Sequence, residues 1–448
     1  MADTNLYARM WRWHLYAGIF VLPFVLLLSV SGAIYLFKPQ IDRWEERHFL
    51  DLGTADAVSA DRQVAAALAE HPESRFTAYR LPREAGDAAM VQLLRPDGAE
   101  VQTFVSPQGE VLGTLGPGSR ISSIVATFHG SLMLGDWGDR LVELAASWTV
   151  VMLLTGLYLW WPRPFRAGGT LWPRRGLRGR ALLKDWHRAI GFWIAGLVLA
   201  MLASGLPWAG VWGDAFRWAR AELGLVQGPQ EWATGAEKRT PEQALAELLV
   251  PPATAHEGHD HGGAAPLPPA AEVPSLPLGV FVSLAAAEEL PFPALVLPPH
   301  SPQRFGPPTG AEWTVKSEAQ NRPLNREVTF DPATAEETGR TGWADKHPID
   351  RAVGYGIAWH EGQLFGVPNQ VMGLFTALAL IGISVLGAVM WWKRKPESGF
   401  GAPEVAGRLR NPWVIGAAVV LALLLPLFGL SLIVLLVLDR LLLRWRRA

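Results

Sequence analysis

Four histidines recur in phase along this chain. Trp13-His14-x3-Gly18-x12-Ser31-Gly32 returns as Trp186-His187-x3-Gly191-x12-Ser204-Gly205. Phe128-His129-x5-Gly135-x20-Gly156-x3-Trp160-Trp161-x-Arg163 returns as Trp359-His360-x5-Gly366-x20-Gly387-x3-Trp391-Trp392-x-Arg394. His14 and His187 open two long apolar runs, and His129 and His360 stand just before two others, so the repeat sets one histidine pair at each end of those runs. Imidazole is a transition-metal ligand. Two imidazoles from neighbouring helices at one depth suit both axial positions of a haem, which makes an electron-transfer centre without an open coordination site. Gly18 and Gly191, at i+4 from the first pair, would let a flat macrocycle lie against the backbone. Gly32 and Gly205, at i+18, return to the same helical face about 27 Å further on, near the level of the other pair. The ordinary readings stand beside this one. A histidine at a span end is often interfacial or capping, small residues in spans often serve close helix packing, and tryptophans at span ends form interfacial belts.

The elements that must position these residues are membrane spans. Half of the 448 residues are hydrophobic and only 18% are charged. The apolar residues form runs at about 14–37, 140–161, 187–212 and 368–392, each near the 20 residues that cross a bilayer. The first run lies behind Arg9 and Arg12, and its match to the third argues that it is retained rather than cleaved as a signal peptide. A fifth apolar region, 412–443, is interrupted by Pro426 and Gly429; it reads either as one tilted, kinked helix or as two shorter arms. The absence of cysteine excludes disulfides, cysteine-held iron–sulfur clusters, thiol catalysis and CxxCH haem attachment. A net charge of −1 gives no reason to expect a nucleic-acid partner.

Phase and span order together predict a membrane α-helical protein, with a four-helix transmembrane bundle built from a duplicated helix–domain–helix unit. The expected organisation runs in sequence: 1–37 TM1, 38–139 a first extramembrane domain, 140–163 TM2, 164–186 a basic loop, 187–212 TM3, and 213–367 a second extramembrane region. TM4 at 368–394, a loop at 395–411 and a C-terminal hydrophobic helix or hairpin with a basic tail at 412–448 complete it. Lys and Arg crowd 163–188 and 393–410, so both loops and the N-terminus are expected in the cytoplasm and the two long regions outside, in the periplasm of a bacterial inner membrane. Each long region reads as a small α+β unit. The first has a short helix near 64–68, extended stretches at 76–82, 89–95 and 100–105, and a turn at 107–110. The second has a helix at 283–290, strands at 294–298, 312–317 and 326–330, and a turn at 331–334. A Pro/Ala-rich linker at 250–277 precedes the latter. It carries His256, His259 and His261, a weak candidate for binding a metal ion. His48, His71, His300 and His347 have no counterpart in the repeat and read as surface residues. No phosphate-binding or dinucleotide fingerprint is present.

These motifs resemble the PepSY-associated transmembrane family, of the iron-regulated membrane protein type. The likeness rests on His14-x3-Gly18 with Ser31-Gly32, on Phe128-His129-Gly130-Ser131-Leu132 with Leu134-Gly135-Asp136-Trp137-Gly138, on Gly156-Leu157-Tyr158-Leu159-Trp160-Trp161-Pro162-Arg163, and on the second-half copies. The resemblance implies an inner-membrane protein with PepSY-like periplasmic domains and two haem b groups, with His14, His187, His129 and His360 as the iron ligands. Some relatives reduce ferric siderophores, and the function this implies is a haem-dependent transmembrane oxidoreductase serving iron uptake. The expected electron donor is a quinol or a separate cytoplasmic reductase, and the expected acceptor a periplasmic ferric chelate, with membrane lipid around the bundle. Two departures stand out: His360-Glu361-Gly362 replaces His129-Gly130-Ser131 in the second half, and 250–277 has the character of an insertion. A permease for an iron chelate or metal ion, and a haem-free PepSY sensor or assembly protein, are the alternative functions.

Overall fold

The computed structural model describes residues 2–161, 167–226, 275–303, 308–394, 400–403, 405, 409 and 411–445. In chain order its helices are α1 (Ala2–Tyr35), α2 (Lys38–Glu45), α3 (Ala60–Glu70), α4 (Ile121–Ser131), α5 (Gly135–Trp160) and α6 (Gly179–Gly205). There follow α7 (Gly210–Glu222), α8 (Leu278–Ala287), α9 (Pro348–His360), α10 (Val367–Trp392), α11 (Pro412–Leu424) and α12 (Pro426–Trp445). The strands are β1 (Arg75–Arg80), β2 (Ala89–Leu94), β3 (Glu100–Val105), β4 (Val111–Leu115), β5 (Ala294–Leu297), β6 (Trp313–Ser317), β7 (Glu327–Phe330) and β8 (Glu337–Thr341). They divide between two compact units, one made of residues 1–37, 125–223 and 365–448, the other of 38–124 and 224–364.

The first unit is helical. Leu6–Tyr35, Gly135–Trp160, Gly179–Trp208 and Val367–Trp392 are long and apolar enough to cross a membrane. α1 packs on α5 and α10, and α6 packs on the same two helices, so the four close a ring with α1 and α6 on one diagonal. The packing is tight where small residues face large ones: a Cβ on Gly373 would come within 2.9 Å of the Leu36 methyls. Beside it the Gln370 side-chain amide donates to the Leu36 carbonyl at 3.0 Å, an acceptor that the end of α1 leaves without an intrahelical donor.

One feature of this unit differs from the sequence reading, and another fills in what that reading left open. The third long helix starts at Gly179, eight residues before His187, because Arg180, Ala181, Leu182, Leu183 and Lys184 are good helix formers. His187 therefore lies two turns inside its helix, and His14 is equally internal to α1. The region 412–443 resolves into two helices, of 13 and 20 residues, in contact with one another. Leu425 leaves helical geometry (φ −126°, ψ 85°) and Pro426 brings no N–H. The arms touch closely: a Cβ on Gly429 would lie 2.7 Å from the Ala422 carbonyl. At about 20 Å, the 13-residue α11 is shorter than the hydrocarbon core of a bilayer. The hairpin is fixed to α5 and α7 by a cluster of Val151, Leu425 and Phe428 with Trp148 and Trp212. The Trp212 indole donates to the Leu424 carbonyl at 2.9 Å, and the Trp148 indole to Ser431 Oγ at 3.1 Å.

The second unit corrects the expectation of two separate small domains. Its eight strands form one antiparallel sheet in the order β4-β3-β2-β1-β5-β6-β7-β8. The two meanders join where Tyr79 pairs with Val296 and Arg80 with Leu295. β4 and β8 were not read from the sequence; both are outermost, and β8 is largely exposed, so neither carries the apolar alternation that marks an inner strand. α3 and α8 cover one face, with Val64, Ala67, Phe281 and Ala285 against Tyr79, Val91, Val105, Val296, Val315 and Val328. Asp61 ties the two helices, its carboxylate oxygens accepting from the Leu278 and Gly279 amides at 2.8 and 3.0 Å, as an anion at a helix N-terminus does. His347, read as a surface residue, caps α9: its Nδ1 accepts from the Ile349 amide at 3.2 Å.

Candidate site: histidines of the helical bundle

His14 on α1 and His187 on α6 face one another across the diagonal of the four-helix ring, with ring centroids 6.3 Å apart and planes at 85°. Each ring is held by the helix beside its own. His14 Nδ1–H donates to the Met152 carbonyl at 3.0 Å, and His187 Nδ1–H donates to the Ile383 carbonyl at 3.2 Å. A carbonyl oxygen only accepts, so Nδ1 carries the proton and the neutral ring keeps its lone pair on Nε2. This is the arrangement in which a second bond orients a histidine ligand and raises its basicity.

The two acceptors occupy equivalent places. Met152 and Ile383 each lie four residues before a glycine of the repeat, Gly156 and Gly387, and each glycine receives the facing imidazole. A Cβ on Gly156 would stand 3.0 Å from His14 Cε1, and one on Gly387 3.6 Å from His187 Cε1. Gly156 and Gly387 were visible in the repeat, but their place beneath the rings was missed, because α-helical periodicity does not say which neighbouring helix faces a given turn. A Cβ on Gly18 would lie 3.9 Å from Met152 Sδ, and one on Gly191 3.0 Å from Ile383 Cδ1. One difference breaks the symmetry. Thr155 Oγ1 lies 3.3 Å from His14 Nδ1, while the matching position before Gly387 is Leu386.

A metal–imidazole bond of about 2 Å would put each ring centroid roughly 3 Å from an ion held between the two rings, so the 6.3 Å separation is one that a metalloporphyrin would fit. The planes are free to turn about that axis, so 85° is compatible with it. Among the described residues no group of three or more His, Asp or Glu is placed to hold a bare metal ion.

His129 and His360 occupy different units, and each is placed by its own surroundings. His129 is on α4, and three left-handed residues follow that helix, Leu132 (φ 52°), Met133 (φ 61°) and, after Leu134, Gly135 (φ 57°), turning the chain into α5. Its Nδ1 lies 3.0 Å from Ser31 Oγ. Ser31 O–H donates to the Leu27 carbonyl at 2.9 Å, so the hydroxyl's lone pair accepts from the imidazole. Gly32 lies beneath this ring, and a Cβ there would crowd His129 Cε1 at 3.1 Å. Ser31 thus does for His129 what Met152 does for His14. His360 ends α9, where the Gln320 amide donates to Glu361 Oε2 at 3.3 Å and Arg322 lies 3.8 Å from the same carboxylate, anchoring the helix end that carries it. Gly366 (φ 61°) then breaks the chain before α10. Gly205 is the last residue of α6. His256, His259 and His261 lie outside the described residues.

Glu143 is the one buried carboxylate in the middle turns of α5. It accepts from the Val211 and Trp212 amides at 2.9 and 3.1 Å, capping the N-terminus of α7. Its role in the bundle is therefore structural.

No curated protein matches the sequence. A family model described as the PepSY-associated TM region matches residues 11–394, a range that takes in all four histidines, both flanking glycine sets and the four long apolar helices, and stops before the C-terminal hairpin. With that match over most of its length, the chain belongs to the PepSY-associated TM family of membrane proteins.

Proposed function

We propose that this protein is an inner-membrane dihaem oxidoreductase that carries electrons from the cytoplasmic side to a periplasmic acceptor. In this reading His14 and His187 hold one b-type haem and His129 and His360 the other. Each group, when bound, supplies one-electron transfer without a site for an exogenous ligand. The protein's own residues do the rest. Met152, Ile383 and Ser31 fix the imidazole tautomers, Gly156, Gly387 and Gly32 leave room for the rings, and the apolar helices exclude water. The donor is a quinol or a separate cytoplasmic reductase. The acceptor is a ferric chelate of the siderophore class; hard oxygen donors hold Fe(III) better than Fe(II), so reduction alone loosens the metal and no bond-breaking residue is needed. The sheet unit, in the periplasm, shapes the docking surface. The repeated phase of ligands, glycines and acceptor carbonyls supports duplication of a helix–domain–helix ancestor.

The observation that carries this reading is the His14–His187 pair: rings 6.3 Å apart, each with Nδ1 bonded to a main-chain carbonyl. A core or interfacial histidine has no need of a symmetric partner so held. Transport through the bundle, by contrast, calls for ionisable groups along the spans, and the buried carboxylate of α5 is engaged in capping. The test is a pyridine haemochrome assay with dithionite-reduced minus oxidised spectra on purified protein. Two low-spin b haems per chain are expected, and a folded, colourless preparation would refute the reading.

A further inference from the structure

Arg188 sits within the third membrane-spanning helix, next to His187 in sequence. Its guanidinium Nη2 donates to the Trp160 carbonyl at 3.2 Å. Trp160 ends α5 one turn beyond Gly156, on which His14 rests. Arg188 thus reaches from the helix of one ligand to the last turn of the helix that braces the other. The nearest acid on its own helix is Asp185, and Arg174 already takes it: the Arg174 amide, Nε and Nη2 all donate to Asp185 at 3.1, 2.9 and 3.0 Å. The Arg188 Nε–H is buried with no acceptor among the described residues. Arg180 and Lys184 add positive charge on the preceding turns, and Lys184 lies in the field of both arginines. Asp185 also feels the Arg188 charge, but a buried guanidinium N–H without an acceptor is costly unless an anion completes it.

We propose that Arg188 binds a carboxylate of the group held between His14 and His187, a haem propionate, through a charge-assisted hydrogen bond from its buried Nε–H. The inference rests on the haem reading above. It makes Arg188 a positioning residue that sets which edge of the macrocycle faces the basic end of the bundle. The repeat places Leu15 at the corresponding position of α1, so this orientation is set from α6.

The test is a titration of the haem-free, full-length chain in detergent micelles with protohaem and with protohaem dimethyl ester, whose propionates are blocked. A His129→Ala background confines bis-imidazole binding to the His14/His187 site. With Arg188 present, protohaem should bind about tenfold more tightly than the ester, the effect of one charge-assisted hydrogen bond. Arg188→Leu should abolish the preference, and Arg188→Lys should restore part of it; a merely structural arginine would weaken both compounds alike. An undiminished preference for protohaem in Arg188→Leu overturns the assignment of Arg188 while leaving the haem reading intact. Failure of both compounds to give a low-spin spectrum with Arg188 present overturns both.

Discussion

At the scale of single residues, the imidazoles are placed by what lies behind them. Nδ1 of His14 and of His187 is engaged by a main-chain carbonyl, an acceptor that no substitution deletes. The glycine beneath each ring can be changed, and the two predict different outcomes. A Cβ at Gly156 would stand 3.0 Å from His14 Cε1, tight enough that the imidazole must give way, whereas one at Gly387 would stand 3.6 Å from His187 Cε1, an ordinary contact. Gly156→Ala should displace the His14 ring and lower the haem content toward one per chain, while Gly387→Ala should keep both. Haem-to-protein ratios measured on the two purified variants check this; equal ratios would show that ring placement does not depend on these glycines. The histidines themselves were legible in the sequence because they recur in phase with the spans. The glycines beneath them were legible only as repeats.

At the scale of elements, the four long helices were readable from length and apolarity, and the hairpin was not. A proline and a glycine in an apolar run fit a kink as well as a turn. What decides it is tertiary: Leu425 leaves helical geometry, and the Trp212 indole satisfies the Leu424 carbonyl that this break frees. The Glu143 cap on α7 is equally non-local, joining residues 68 apart in sequence. Glu143→Ala leaves the Val211 and Trp212 amides without their acceptor, at a cost of about 1–3 kcal/mol. Hydrogen exchange across 206–222 should accelerate by roughly tenfold or more, with α1 and α10 unchanged. Unaltered exchange there would mean the carboxylate contributes nothing to the helix end.

At the scale of the whole molecule, the sheet unit holds a buried ion cluster assembled from residues far apart along the chain. Glu46 accepts from Arg80 at 2.9 and 2.8 Å and from Arg120 at 2.7 Å. Burial pushes its carboxyl up, but the two guanidinium partners outweigh that and hold it below the usual carboxylate range. A carboxyl whose pKa is depressed by folding stabilises the folded state above its unfolded value, about 4.3, and loses that contribution as pH falls through the folded value. Glu46→Gln should therefore lower the melting temperature of the sheet's circular-dichroism signal most near neutral pH, and the gap from wild type should shrink below about pH 4. A gap that stays constant with pH would show that the ionised carboxylate is not the stabilising form.

The sequence by itself determined the membrane class, the four spans, the family and the phase of four histidines, of which His14 and His187 meet, because each follows from composition or from spacing along one chain. The extent of six inner strands followed too, since alternation of apolar residues is a local property. Only the tertiary structure decided that the two meanders share one sheet through β1 and β5, that Gly156 and Gly387 lie beneath the imidazoles, that Ser31 braces His129, and that the helix through 412–443 breaks at Leu425. Each of these depends on which surface meets which across a gap of many residues, and periodicity fixes the face an element presents without naming the partner that covers it.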